Sequence, residues 1–312
     1  MSQAIDAGLF LEIGGIRQWV TVRGQDRANP ALLILPGAGA GFSRLAPFFA
    51  PWEADFTVAQ WDQPGAGFTA AANPDDPQPL TYGRLVRDGL AIVETLKARF
   101  GIDGVALAAT SGGTVVALQM AKARPELLTA YVGAGQVVNR AQQEALSYVM
   151  VLGRARAAGD AAAVAELEGI GPPPYADVSG DLVKSRYANA PTAAEAAEWA
   201  QIMALPQPAG DARYVPRGLA AGDPQATAFG AYMAVRDELA AFDAYALGPH
   251  YELPMIFIQG EDDAHTVTPL VAEFARWVRT PQVSHSRIAG AGHLAFFLRR
   301  PMLERLKALI PR

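Results

Sequence analysis

The sequence predicts an α/β fold in which a mostly parallel sheet, flanked by helices, is interrupted by one helical insertion. Three observations carry this expectation. Short, mostly apolar runs alternate with helical periodicity along residues 31–134, and again along residues 255–309. A strand buried on both faces reads as such a run, and helices between the runs supply the crossovers of a parallel sheet. Between about Gln136 and His250 the rhythm stops. That Ala-rich stretch carries GPPP at 171–174 and prolines at 191, 206, 208 and 216, and it reads as helices without a buried strand. A chain of 312 residues, 51% hydrophobic and 18% charged, suits one large domain with an insertion and excludes disorder as its main state.

The elements follow in order. FLEIGGIRQWVTVRG alternates around a central Gly-Gly and predicts a β-hairpin. Ala31-Leu32-Leu33-Ile34-Leu35 is a buried strand that ends in PGAGAG, and residues 56–61 form another that ends in DQPGAG. Val86, Leu90, Val93, Leu96 and Phe100 share one helical face, and Gly101 supplies the stop. A strand at 105–108, a helix from Gly113 to about Ala123 and a strand at 130–133 complete the first half. The second half has a strand at 255–259, a helix near 268–278, a strand near 283–288 and a last helix that begins at Leu294-Ala295-Phe296-Phe297 and runs to about Leu309. The division expected is therefore a core of residues 1–135 and 251–312 and an insertion of residues 136–250.

Composition narrows the function. The net charge of −5 disfavours nucleic acid and anionic membrane surfaces as partners. The absence of cysteine removes disulfides, thiolate metal sites and a Cys nucleophile. The longest uncharged apolar stretch, between Asp103 and Lys122, has the polar, glycine-rich centre Thr110-Ser111-Gly112-Gly113-Thr114, which is wrong for a membrane span. The first ten residues have no basic leader pattern, so a cytoplasmic location is the expectation. An imidazole, if one is needed, must be His250, His265, His285 or His293.

Ser111 stands in Ala109-Thr110-Ser111-Gly112-Gly113, between a buried strand and a helix. A nucleophile elbow, usually written G-x-S-x-G, occupies this setting. Its serine needs a sparsely allowed backbone conformation, so only small residues fit two positions to either side. A plain strand-to-helix turn rich in small residues explains the motif equally well when it is taken alone. Context favours the elbow. An acid and then a histidine are required, in the order Ser, Asp, His, each after a later strand. Strand 255–259 runs into Gly260-Glu261-Asp262-Asp263, and strand 283–288 runs into Ala289-Gly290-Ala291-Gly292-His293. Both are carboxyl ends of strands, where open α/β sheets place their sites. Asp263 is preferred, with Asp262 left to cap the turn. His250 lies at the insertion boundary, His285 within a strand and His265 two residues past Asp263, and all three read as structural or surface residues. Glu261, Asp262, Asp263 and His265 crowd one loop too closely for good ligand geometry, so no metal and no cofactor are expected. PGAGAG at 36–41 is out of register for a dinucleotide fingerprint. It suits an oxyanion loop, with Ala38 as the backbone donor, Gly37 as second choice and Gly112 as the partner donor.

These residues resemble the α/β-hydrolase fold and, within it, the prolyl-iminopeptidase-related branch. The resemblance rests on PGAGAG, WDQPGAG at 61–67, ATSGGT at the elbow, QGEDDAHTVTP at 259–269 and GAGHLAFF at 290–297, with a further likeness from Tyr131 to Tyr175. It implies a mixed eight-stranded sheet, a helical cap, and Ser111, Asp263 and His293 as nucleophile, orienting acid and base. It also implies that cap carboxylates hold a substrate amine, with Glu144, Glu166, Glu168, Glu195, Glu198 and Glu238 as candidates. The chain departs from the branch at Pro36, Pro64 and Gly112, where the family usually carries His, Arg and often Trp. The last change should widen the pocket. Tyr148, Trp199, Met203, Tyr232 and Met233 suggest an apolar pocket, and Glu144, Glu198, Trp199 and Tyr232 are the first substrate-binding candidates. The expected reaction is acyl transfer from a small amide or short peptide with a free N-terminal proline. A small hydrophobic ester is the alternative substrate. A non-catalytic binding protein or a lyase on the same fold is the alternative of another class.

Overall fold

The structure is a computed structural model that describes residues 4–37, 39–205 and 214–310, with the side chains of residues 224 and 225 excepted. Its centre is an eight-stranded sheet: β1 (Ile5–Ile13), β2 (Ile16–Gly24), β3 (Ala31–Leu35), β4 (Thr57–Trp61), β5 (Val105–Thr110), β6 (Leu128–Ala134), β7 (Met255–Gly260) and β8 (Val283–Ile288). The spatial order is β1-β2-β4-β3-β5-β6-β7-β8. Pairings β1–β2 and β2–β4 are antiparallel, and the rest are parallel. The hairpin of the first residues and the parallel sheet are both as the sequence predicts.

The apolar runs are explained by what lies on each face. Leu33 and Leu35 of β3, with Leu107 and Ala109 of β5, join one hydrophobic cluster. Leu32, Ile34, Ala106 and Ala108 join the other. Successive side chains of a strand point to opposite faces, so a sheet covered on both sides must be apolar at every position. Helices α1 (Ala46–Phe49), α2 (Gly67–Ala72), α3 (Tyr82–Phe100) and α4 (Gly113–Ala123) follow the early strands, and α10 (Thr268–Trp277) and α11 (Arg299–Leu309) the late ones. Thr81 caps the start of α3, and Gly101, left-handed at φ +64°, ends it.

Two differences from the sequence reading concern short pieces. The brief helices α1 and α2 have too few turns to show a period. The last helix begins at Arg299 rather than near Leu294, because residues 295–297 wind as a tight 3-10 turn that buries Phe296 among Phe49 and Trp52.

Between β6 and β7 lie α5 (Arg140–Ala157), α6 (Ala161–Ile170), α7 (Val178–Ala188), α8 (Ala193–Ala204) and α9 (Pro224–Ala240), with no strand among the described residues of this stretch. Tyr148, Val151, Leu152, Ala163 and Leu167 form a small core of their own there. Entrance and exit of the segment are laced together. Asn139 and Asp243 form an antiparallel bridge, Arg140 N–H donates to Phe242 O at 3.0 Å, and Ala244 N–H donates to Val138 O at 2.6 Å. Val137, Val138 and Ala244 at this neck belong to the main core.

Candidate active site

The turn after β5 places Ser111 in the left-handed region at φ +52°. A non-glycine residue there carries strain that the surroundings must hold. Ser111 N–H donates to Ala134 O at 3.0 Å, and Ser111 O accepts from both Thr114 N–H at 2.9 Å and Thr114 Oγ1 at 2.6 Å. Thr114 in turn accepts from Val137 N–H at 3.0 Å. Gly113 is obligatory: a Cβ there would lie 2.2 Å from Leu35 O and 2.3 Å from Pro36 O. The hydroxyl therefore stands over the N-terminus of α4, where the helix dipole favours negative charge.

His293 Nε2 lies 3.0 Å from Ser111 Oγ, and its Nδ1 lies 3.0 Å from Asp263 Oδ2. Asp263 is fully buried. Its Oδ1 accepts from His265 N–H at 2.8 Å and Thr266 N–H at 2.9 Å, and its Oδ2 from Thr266 Oγ1 at 2.6 Å and Gln259 Nε2 at 3.0 Å. Burial pushes this carboxyl up, but the charge and hydrogen bond of His293 and the bonds from Thr266 outweigh it, so the group titrates below the ordinary carboxylate range. An ionised carboxylate only accepts. It assigns the proton to Nδ1 and leaves Nε2 to accept from the serine hydroxyl. Gly135, at φ +59°, makes room for the ring: a Cβ there would sit 2.9 Å from His293 Cε1.

Of the loop after β3, Gly39 N–H is committed to Gln63 Oε1 at 2.7 Å, and Ala40 N–H to Gly37 O at 3.1 Å. Ala38 lies outside the described residues. The N–H groups of Gly37 and Gly112 have no acceptor among the described residues. Asp62 anchors the far end of this loop, accepting from Ser43 N–H at 3.1 Å, Ser43 Oγ at 2.7 Å and Phe68 N–H at 2.9 Å. Gly39 also packs on α9, where its Cβ would strike that of Ala231.

The other histidines divide. His265 is half-buried, and its ring centroid is 4.6 Å from that of His293. Its Nδ1 has no hydrogen-bond partner among the described residues. Burial, and then the charges of His293, Lys184 and Arg140, hold it well below the ordinary imidazole range. His285 is within β8, and His250 pairs by backbone with Arg279. Among the described residues no three His, Asp or Glu side chains gather as a metal site. Nor is any helix there long and apolar enough to cross a membrane.

The predicted substrate-binding residues fall in two places. Glu144 and Tyr232 line a cavity of about 450 Å³ within the helical segment, together with Arg140, Asp181 and Arg236. Glu144 is met by Arg140 Nη1 at 2.6 Å and by Lys184 Nζ at 2.7 Å, and Asp181 by Tyr232 and, at 3.5 Å, Arg140. Glu198 and Trp199 lie elsewhere, on α8, against Arg299 at 3.7 Å and Phe297 at 5.4 Å. Of the remaining glutamates, Glu166 pairs with Arg186, Glu168 with Arg156, and Glu238 accepts from Tyr82 N–H. Tyr148 is buried in the segment's own core, whereas Met203 is 62% exposed. Sequence reasoning missed Gln259, Thr266 and Gly135. A lone polar residue closing the apolar run of β7 was the one available signal, at Gln259.

A sheet of this order, with a strained serine between its central strand and a helix, defines the α/β-hydrolase class. The alpha/beta hydrolase family profile matches residues 32–305, and the chain belongs to that family. A probable aminopeptidase of Bacillus subtilis is 32% identical over 141 residues, and this similarity spans 44% of each chain. A proline iminopeptidase-related protein from Thermus thermophilus superposes with a TM-score of 0.67 at 20% identity, covering 98% of this chain and 99% of that one. A proline iminopeptidase of Mycobacterium smegmatis does so with a TM-score of 0.62 at 18% identity, covering 97% and 96%. At these identities the two structures share the fold.

Proposed function

We propose that the protein is a serine hydrolase of the prolyl aminopeptidase type, with a catalytic core of residues 1–135 and 251–312 and a cap of residues 136–250. The hydrogen-bonded run Ser111–His293–Asp263, with the serine strained at φ +52°, carries this reading. His293 Nε2 takes the Ser111 proton as Oγ bonds to the substrate carbonyl carbon. Asp263 holds the imidazole in the right tautomer and stabilises its cation. Gly112 N–H and a loop N–H, from Ala38 or Gly37, receive the oxyanion. The leaving amine departs with the proton from His293. Water, deprotonated by the same nitrogen, then attacks the acyl-enzyme and frees Ser111.

The local likeness to a probable aminopeptidase supports an amine-bearing substrate, and the cap cavity, which Ser111, Asp263 and His293 do not line, has room for the amine end of a small ligand. Glu144 already faces two cations. Asp181, which accepts from Tyr232 and Ser185 and faces one cation, Arg140 at 3.5 Å, is the less neutralised carboxylate for an incoming ammonium group. A fluorophosphonate probe tests the chemistry: it should label wild type and not Ser111→Ala. Turnover of prolyl p-nitroanilide against p-nitrophenyl butyrate tests the substrate. Asp181→Asn should raise KM for the anilide and leave the ester unchanged. Ester turnover without anilide turnover makes the protein an esterase. No labelling and no turnover of either substrate removes the hydrolase reading.

A further inference from the structure

Glu195 stands on α8 of the cap, 3% exposed, yet its carboxylate reaches the loop that carries His293. Oε1 accepts the backbone N–H of Gly292, the residue just before His293, at 2.8 Å. Oε2 accepts Thr192 N–H at 2.9 Å, and Thr192 Oγ1 accepts Glu195 N–H at 3.3 Å, which closes a capping box. The backbone N–H of Thr192 holds the carboxylate in one orientation, while the Thr192 hydroxyl only caps the helix start, so the bond to Gly292 comes from a side chain that is already ordered.

Gly292 is gripped from its other side as well. Its carbonyl lies so close to Gly260 at the end of β7 that a Cβ on Gly260 would fall 2.0 Å from it. A Cβ on Gly292 itself would lie 3.1 Å from Glu195 Oε2. Beyond the histidine, the same face of α8 continues the contact through Trp199 on Phe297 and Glu198 on Arg299. Asp263 and Ser111 hold only the ring of His293. The backbone beneath that ring is held by β7 on one side and by a cap carboxylate on the other.

We infer that Glu195 is a positioning residue for His293, a strut by which the cap sets the backbone under the imidazole. The inference rests on the reading of His293 as the base. The cap is thus part of the catalytic framework as well as a cover, and displacing α8 releases the histidine loop.

Four proteins test this: wild type, Glu195→Ala, Glu195→Gln and Thr192→Ala. The readouts are steady-state ester hydrolysis well below the melting temperature and amide hydrogen exchange at Gly292. Glu195→Ala should lower kcat about tenfold or more with KM nearly unchanged, since small displacements of a reacting group cost rate steeply. Glu195→Gln, whose amide oxygen can still accept from Gly292, should recover part of the loss. Thr192→Ala weakens the helix start but leaves the carboxylate in place, so it should lower the melting temperature and keep kcat. Exchange at Gly292 should speed up in Glu195→Ala and stay protected in Thr192→Ala. Wild-type kcat in Glu195→Ala, or an equal loss in Thr192→Ala, overturns the inference. If Glu195→Ala does not fold, Glu195→Met, which keeps the bulk but loses the acceptor, carries the test, and a kcat and Gly292 exchange equal to wild type overturn the inference. If wild type hydrolyses nothing, the hydrolase reading falls, and unchanged exchange in Glu195→Ala would still overturn the strut.

Discussion

Gly135→Ala probes how tightly the imidazole is confined. The residue lies just past β6 at φ +59°, and its new Cβ would meet His293 Cε1 at 2.9 Å. Two costs add. A side chain in the left-handed region costs about 1–2 kcal/mol. Crowding a packed ring costs about 1–3 kcal/mol more. For a chain of 312 residues, whose unfolding entropy is large, about 3 kcal/mol lowers the melting temperature by roughly 5 °C. The effect on rate is separate. The ring can relieve the contact only by moving several tenths of an ångström, and that lengthens its 3.0 Å approach to Ser111 or to Asp263. A fall in kcat of about 10–100-fold is expected, with KM changed far less. The assay is p-nitrophenyl ester hydrolysis beside a thermal melt, with the rate of fluorophosphonate labelling as a check on Ser111. A variant that melts lower but keeps kcat within about twofold would refute the claim that this glycine sets the ring.

Two further outcomes follow from charge. Native His265 titrates well below its ordinary value of 6.5, so as the pH falls through that value the unfolded chain takes up a proton the native chain refuses, and stability drops. His265→Asn should therefore flatten the loss of stability between pH 7.5 and 5, measured by urea unfolding, and an unaltered slope would contradict it. Lys184 is fully buried against Glu144, with its own ionisation depressed by that burial. Glu144→Ala strands its charge and should cost about 3–5 kcal/mol, whereas the Glu144→Met, Lys184→Met double variant should melt near wild type.

Much of this architecture was legible before any coordinates. The runs at 31–35, 105–109 and 255–258 could be read because burial on both faces leaves no polar position to confuse the pattern. Ser111 and Asp263 stood out because each follows such a run, and His293 because small residues lead to it from a late strand; the structure brings the three within hydrogen-bond distance. The supports of that arrangement were not legible. Thr266 and Gln259 read as ordinary loop and strand-end residues until Asp263 is seen to need both. Glu195 sits in a helix start like many others, and its partner is 97 positions away. Glu144 and Glu198 look alike along the chain, yet one lines the cavity and the other meets Arg299. Only the fold distinguishes a carboxylate that faces a cavity from one that faces a neighbour.

The laced neck at Val138–Arg140 and Phe242–Ala244 has a consequence for descent. The chain leaves the sheet and returns at one point, so the length and sequence between can change without altering any strand register. Exposed positions of those roughly hundred residues can therefore vary without disturbing the sheet. Positions that join the cores or the buried charge pair, such as Gln143, Glu144, Ile202 and Val235, are excepted, and so are two that meet loops of the sheet: position 231, where only a small side chain clears Gly39, and position 195, where a carboxylate meets Gly292. Relatives that diverge at the exposed positions should keep a small residue at position 231 and an acceptor at position 195.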